Sequence, residues 1–277
     1  AKMADLSGLA PTVVLGLPDT SLAGTRVVLA AAAKDSSWTT SPVSGSPGAG
    51  PAVFASGETK KACVARLDVG DPKSPSMSLL SLNAVIPEHA ILPVVKDLLG
   101  KIAASKAKSL IVLAALPADS KAHGKAAIQA GSVCYSTWNG HPAPSSSEKK
   151  SKNGETEKGT AAADKKTTLK PIADGVRVLD SLLCSLLHVS WVMGIPTIAL
   201  YTRGYRFQAG AAKRDPLLDG TEEVAFSLWG AAKAVAQDTT VEIDRNRFRS
   251  LTATKAMLKR MGADKDGLAS SRAKLYT

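Results

Sequence analysis

The sequence predicts an α/β fold, in which a mixed and largely parallel β-sheet is flanked by helices. Short β-branched or apolar runs alternate along the chain with longer segments of helical spacing. The run Ser109–Leu116 is apolar almost throughout, which is typical of a strand buried on both faces. With 277 residues, 44% of them hydrophobic, the chain can bury a core. We assign residues 1–262 to one α/β domain and residues 263–277 to a flexible tail.

The N-terminal part predicts strands separated by turns. Residues 12–16 form a β-branched run that ends at a glycine, which predicts the first strand. Residues 27–33 fit a strand or a helix equally well. Residues 36–51 are rich in Ser, Pro and Gly and predict a loop. Residues 62–69 and 77–82 predict two strands joined as a hairpin.

A helix is predicted to begin at Pro87-Glu88. Its apolar residues recur at helical spacing and would form one buried face: Ala90, Ile91, Val94, Val95, Leu98, Leu99 and Ile102.

The segment Asp174–Met193 carries the strongest helical pattern. Its polar positions form one narrow stripe, and nearly every other position is apolar. A helix of this kind lies buried in a core or an interface. Gly194 would end it, and Thr197–Tyr201 would follow as a strand. The stripe consists of Arg177, Ser181, Ser185 and His188.

Two more helices are predicted near the C-terminus. One starts at an N-cap, Thr221, and reaches about Ala236. The other spans residues 244–261, and its apolar face would be formed by Phe248, Leu251, Leu258 and Met261.

Residues 141–170 interrupt the pattern. They are dominated by Ser, Lys, Glu, Gly, Thr and Ala, and they contain almost no large apolar side chain. Such a segment cannot offset the entropy of ordering its backbone. We interpret it as a disordered insertion, with a domain linker as the alternative.

The formal net charge is +11, which suggests an anionic partner such as nucleic acid or an acidic protein. The basic residues concentrate in Lys149–Lys170 and Arg245–Arg260. Aromatic residues make up only 4% of the chain, so few are available to stack on bases, and nucleic acid is not the expected partner. No segment predicts a membrane span or a signal peptide, and three unpaired cysteines suit a cytosolic protein.

Motifs that would indicate catalysis, phosphate binding or a metal site are missing. The glycines of residues 45–50 stand in the wrong order for a dinucleotide fingerprint. The four histidines do not lie at ligand spacing. We expect His188 to be a structural histidine and Cys184 a core residue. The expected protein has no cofactor and no catalytic activity, although an active site assembled from distant residues would leave no motif.

The final residues Leu275-Tyr276-Thr277 are the clearest candidate binding site. They place an apolar side chain, a phenol and a free carboxylate in succession. This combination suits a concave pocket that buries the apolar groups and pairs the carboxylate with a cation. A frayed terminus without function is the alternative.

The hydrophobic-Tyr-X terminus resembles the motif with which proteasome activators and some assembly chaperones dock between α-subunits. Upstream, the chain is similar to the proteasome assembly chaperone 1 family. The similarity covers about the last third of the chain. The family pattern is an apolar helix, a Trp, an Ile-Pro step, a short apolar strand ending at Tyr, and a later helix. In this chain the corresponding segments are Leu179–Val189, Trp191, Gly194-Ile195-Pro196, Thr197–Leu200 with Tyr201, and Phe248–Leu258.

The resemblance implies a non-catalytic chaperone for assembly of the 20S proteasome core particle. Its partners would be proteasome assembly chaperone 2, in a heterodimer, and the α-ring subunits, contacted through Leu275, Tyr276 and Thr277. It implies a cytoplasmic location, with the nucleus as an addition, and no membrane. Two other classes stay open, a nucleoside-phosphorylase-like α/β enzyme and a basic nucleic-acid-binding protein.

Overall fold

The computed structural model describes residues 6, 8–19, 22–32, 38–42, 50–54, 62–71, 73–117, 128, 132–144, 169–174, 176, 178, 180–204, 221–251, 253–254 and 257. The predicted tail, residues 263–277, and most of the predicted insertion lie outside these ranges.

The described residues form ten strands and five helices. The strands are β1 (Thr12–Gly16), β2 (Ala31–Ala32), β3 (Thr39–Pro42), β4 (Cys63–Asp71), β5 (Ser74–Asn83), β6 (Ser109–Pro117), β7 (Val133–Trp138), β8 (Leu169–Pro171), β9 (Thr197–Gly204) and β10 (Glu242–Ile243). The helices are α1 (Ala23–Ala30), α2 (Ile91–Ala104), α3 (Ser181–Val192), α4 (Thr221–Ala236) and α5 (Arg245–Ser250). A 3₁₀ turn, Glu88–Ala90, leads into α2.

Eight strands form one sheet, in the order β3-β4-β5-β1-β6-β9-β7-β8. β1 pairs in parallel with β5 and β6, β6 with β9, and β7 with β8. The remaining contacts, β3 with β4, β4 with β5, and β7 with β9, are antiparallel. Parallel contacts therefore outnumber antiparallel ones four to three, which confirms the predicted mixed, largely parallel sheet.

The helices cover the two faces of the sheet because successive side chains of its strands point to opposite sides. Along β6, Leu110 and Val112 pack with α2 and α3 on one face. Ile111 and Leu113 pack with α1, α4 and α5 on the other face. This double burial confirms the interpretation of the apolar run Ser109–Leu116.

The helix predicted over Asp174–Met193 is shorter than its pattern suggests. α3 begins at Ser181, because the Asp180 side chain accepts a hydrogen bond of 2.8 Å from the backbone nitrogen of Leu183 and caps the helix. The described residues before Asp180 are not helical. Gly194, at φ +69°, follows the end of the helix as predicted.

The last predicted helix, residues 244–261, is interrupted: Leu251, Ala253 and Thr254 are not helical, whereas Met257 is helical again. α5 ends at Ser250, and Leu251 adopts an extended conformation. Ala253 then forms an antiparallel bridge with Phe54, and the Thr254 nitrogen donates to the Val53 carbonyl at 2.8 Å. Pairing with this distant segment replaces helical hydrogen bonds, a tertiary contact that helical spacing cannot reveal.

Three further segments form short strands that the sequence did not clearly predict. Thr39–Pro42 form strand β3 within the predicted loop 36–51, and an edge position tolerates Pro42. Leu169–Pro171, which overlap the end of the predicted insertion 141–170, pair with β7 as β8. The ambiguous segment 27–33 is helical up to Ala30 and then pairs with β10. Among the described helices, none has the length and apolar character needed to cross a membrane.

Candidate protein-interaction surface

The carboxyl edge of the sheet, where α/β folds usually bind ligands, is filled at β1 by the chain itself. β1 leads into α1, whose first backbone N–H groups point at this edge and would suit a phosphate. Asp19 occupies that place and is 1% exposed. Its carboxylate oxygens accept hydrogen bonds from the nitrogens of Ala23 (3.2 Å), Gly24 (3.1 Å) and Ala115 (2.9 Å). These N–H groups are therefore not available to an external anion.

α1 packs closely against the centre of the sheet. A β-carbon on Gly24 would collide with the backbone carbonyl of Leu113, and one on Gly16 with the carbonyl of Gly24. Glycine at both positions lets the helix approach β1 and β6 closely.

The three cysteines show no sign of an activated thiol. Cys63 is buried, Cys134 is half-buried, and burial raises the pKa of both thiols. Cys184 is exposed, which corrects its expected place in the core. Although Cys184 is exposed, partial burial still raises the pKa of its thiol. The thiol donates a hydrogen bond to the Val178 carbonyl at 3.0 Å. Neither effect stabilises a thiolate. Within the described ranges, no three His, Cys, Asp or Glu residues come close enough to hold a metal ion.

The basic residues of α5 contact other side chains of the same domain. Arg249 forms a double hydrogen bond with Glu222, at 3.1 Å for each contact. The guanidinium groups of Arg245 and Arg247 lie over the rings of Phe226 (5.1 Å) and Trp38 (5.4 Å). These contacts give the α5 arginines a role within the fold. Of the other predicted basic cluster, only Lys170 lies in the described part of the chain.

The most unusual surface lies at the C-terminal end of α3. Trp191, Val192 and Met193 are 58%, 65% and 41% exposed, whereas Leu182, Leu183, Leu186 and Leu187 of the same helix are buried. We call Trp191, Val192 and Met193 the α3 surface. Three consecutive exposed apolar residues are unusual on an isolated protein, which makes the α3 surface a candidate interaction site.

The polar stripe of α3 leads to this surface. Ser181 and His188 are exposed, Ser185 is half-buried, and Arg177 lies outside the described residues. His188 is thus a surface residue and not the structural histidine that we expected. Its ring lies 6.1 Å from that of Trp191 and extends the aromatic area of the α3 surface.

The backbone beneath the α3 surface is fixed by Asn139, in the turn after β7. The side-chain nitrogen of Asn139 donates to the carbonyl oxygens of Ser190 (3.0 Å) and Ile195 (2.9 Å). The Ile195 nitrogen donates in turn to Ser190 at 3.0 Å. These bonds satisfy carbonyls that the helix end leaves free, so the apolar triplet is held in one position.

The sequence contained a signal for the α3 surface that helical patterning overlooked. Consecutive helical residues lie about 100° apart around the axis, so Trp191 and Val192 cannot both face the core with Leu187. The predicted site Leu275-Tyr276-Thr277 lies outside the described residues.

Comparisons with known proteins found similarity to solved structures but not to any sequence family. No family model matches the sequence, and no curated protein matches it either. A solved structure of a Thermoplasma acidophilum protein of unknown function matches at a TM-score of 0.56 and 13% identity, over 97% of this chain and 91% of that one. At that identity the likeness concerns the fold alone.

Two further structures match at lower TM-scores. Pyrococcus furiosus PbaA, described as an archaeal homolog of proteasome-assembly chaperone, has a TM-score of 0.49 and 12% identity, over 98% of this chain and 99% of that one. Purine nucleoside phosphorylase from Toxoplasma gondii has a TM-score of 0.38 and 12% identity, over 83% and 91%. At these TM-scores and identities, neither likeness assigns this chain a fold family or an activity.

Proposed function

We propose that this chain is a chaperone subunit for assembly of the 20S proteasome core particle, acting by protein binding and without catalysis. One observation carries the proposal. The exposed α3 surface lies on a domain whose Asp19 carboxylate fills the anion position of α1. The domain thus combines a closed ligand position with an open apolar surface, which is the arrangement of a binding protein.

The resemblance to proteasome assembly chaperone 1 supports the same function through residues of this region. Trp191 is exposed, and Gly194-Ile195-Pro196 form the turn from α3 into β9. The segment that carries the resemblance is therefore the segment that builds the α3 surface. The partners that this resemblance implies are proteasome assembly chaperone 2 and the α-ring subunits.

The proposed complex uses two contacts. The folded domain supplies the main interface, and Leu275-Tyr276-Thr277 dock in a pocket between α-subunits. About 15 residues follow Gly262, and such a segment can span at most roughly 50 Å when extended. A tethered second contact raises the overall affinity through effective concentration.

Affinity purification followed by mass spectrometry tests the proposal. The tagged chain is expressed with proteasome assembly chaperone 2 and the α-subunits of the same organism. We expect both to co-purify, with mature proteasome activators absent from the complex. Recovery of neither chaperone 2 nor any α-subunit would disprove the proposal.

The two alternatives have their own tests. Turnover of any compound in a nucleoside library would favour the enzyme. Binding of DNA or RNA that weakens steeply with salt would favour the nucleic-acid-binding protein. We expect neither result, because Asp19 fills the anion position and the described α5 arginines contact side chains of their own domain.

A further inference from the structure

We infer that the α3 surface docks a different polypeptide, whose binding site is an apolar pocket rimmed by carboxylates. The inference rests on the proposed function, because it assigns this site to the partner chaperone. Four features support it: the exposed side chains, the rigidity of their backbone, the charge around them, and the unfavourable charge balance of self-association.

The α3 surface consists of large apolar side chains, which contribute strongly to the free energy of binding at protein interfaces. Trp191 is more than half exposed and can contribute a large ring, and Trp is enriched among the residues that dominate protein interfaces. Val192 is the most exposed of the three, at 65%. Docking would bury both side chains, and it would remove from water a surface that the domain itself leaves uncovered.

The surface is already ordered, which lowers the entropic cost of binding. Asn139 holds the Ser190 and Ile195 carbonyls on either side of the triplet. One strand further along the sheet, the Leu110 nitrogen donates to the Pro196 carbonyl at 2.9 Å. The turn between α3 and β9 is therefore anchored to both β6 and the end of β7.

The segments bonded to the base of the α3 surface carry lysines but no acidic residue. Four described segments meet at this edge of the sheet, and none contains an acidic residue: 8–11, 105–108, 139–141 and 188–196. Lys106 and Lys108 are exposed there. Lys108 lies one residue before Ser109, whose hydroxyl is 2.7 Å from the His141 ring. Carboxylates around the partner's pocket would complement these lysines and speed the encounter.

A second copy of this chain fits poorly. A symmetric contact between two α3 surfaces would bring the basic segments of both copies towards each other. The whole chain carries a formal net charge of +11, which adds repulsion at longer range. Like charges placed opposite each other oppose association. The occupant that these charges favour is therefore an acidic partner.

Titration of the full chain with purified proteasome assembly chaperone 2 tests the inference. Trp191→Ser and Val192→Ser should each weaken binding at least about tenfold. The matched control is Leu92→Ser, because Leu92 is 45% exposed at the start of α2, at the opposite end of the helical layer. Lys108→Glu should weaken binding at low salt and less at high salt, whereas Lys96→Glu, exposed within α2, should not.

The outcomes separate the inference from the proposed function. If chaperone 2 binds wild type and Trp191→Ser equally well, the inference is wrong and the proposed heterodimer stands. If sedimentation shows that wild type alone associates and Trp191→Ser does not, the α3 surface docks a second copy and the inference is also wrong. If chaperone 2 does not bind wild type, the proposed heterodimer is wrong, and a second probe is needed to test the inference about the α3 surface.

That probe is a pair of short synthetic peptides. The acidic peptide has leucine and phenylalanine flanked by glutamates, and the basic peptide has the same two residues flanked by lysines. The chain has four tryptophans, so Trp191→Phe identifies the Trp191 indole signal in an NMR spectrum. The acidic peptide should shift that signal, and the basic peptide should not. Equal shifts, or no shift with either peptide, would overturn the inference.

Discussion

The carboxylate of Asp19 accepts a hydrogen bond of 2.9 Å from the backbone nitrogen of Ala115, although 96 positions separate the two residues. The same side chain caps α1 through Ala23 and Gly24. One buried acidic residue thus joins β1, α1 and β6. It stabilises the centre of the sheet and closes the edge at which a phosphate would otherwise bind.

Replacing Asp19 with Ala should destabilise the domain by about 3 kcal/mol, because three backbone N–H groups lose their acceptor in a buried place. Asp19→Asn keeps one acceptor oxygen and should cost less. Urea denaturation measures both. A midpoint for Asp19→Ala equal to that of wild type would show that these bonds do not support the fold.

Gly24→Ala and Gly100→Ala should have opposite effects. A β-carbon on Gly24 would collide with the Leu113 carbonyl, so we expect a loss of at least about 2 kcal/mol. Gly100 lies inside α2, and an added β-carbon there meets nothing within 4 Å. Alanine at that position should stabilise the domain by about 0.5–1 kcal/mol through helix propensity. Thermal melts of the two variants provide the comparison, and equal melting temperatures would contradict it.

Tyr201 should make stability fall at high pH. Burial raises the pKa of Tyr201 from 10.0 to about 12, and Ser136 donates a hydrogen bond of 2.9 Å to its hydroxyl. The unfolded chain therefore loses this proton first. The contribution is complete below about pH 10 and is lost as pH rises towards about 12, which amounts to roughly 2–3 kcal/mol.

Tyr201→Phe has no phenol to titrate and is the control. Denaturation of both proteins between about pH 9 and pH 12 should show wild type losing stability more steeply. Parallel curves would mean that the phenol titrates alike in the folded and unfolded chain.

Residues 145–168 should be dispensable. Their composition offers nothing to pack, and closing a loop depends only weakly on its length. Replacing them with a short Gly-Ser loop should leave the free energy of unfolding within about 1 kcal/mol of wild type. Binding to the α-ring should also be unchanged. Loss of either property would make this segment a functional element.

Leu275-Tyr276-Thr277 should contribute to α-ring binding without affecting the heterodimer. Tyr276→Ala removes the ring and the hydroxyl, and we expect at least about tenfold weaker binding, or 1.4 kcal/mol. One residue added after Thr277 should act alike, because it moves the terminal carboxylate away from its cation. Titration of the α-ring with wild type and both variants measures this. Equal affinities for all three would identify the terminus as a frayed end.

The residues of the α3 surface and those of the carboxyl edge differed in how far they could be predicted. Helical geometry excludes burial of both Trp191 and Val192 beside Leu187 but does not say which of them is exposed. Trp191 already carried the resemblance to a chaperone. Asp19 offered no such signal, because its partner Ala115 lies in a different strand. The terminal Tyr276 remains a prediction from the sequence.

The sequence by itself determined the layered α/β architecture, because hydrophobic spacing is a local property that strands and helices express along the chain. The apolar run of β6 and the helical spacing of α2 sufficed for that. Only the tertiary structure decided where α5 stops, which apolar residues of α3 remain in solvent, and what Asp19 binds. Each of those outcomes depends on contacts between residues far apart in the chain, as when Ala253 pairs with Phe54 and interrupts the helical pattern.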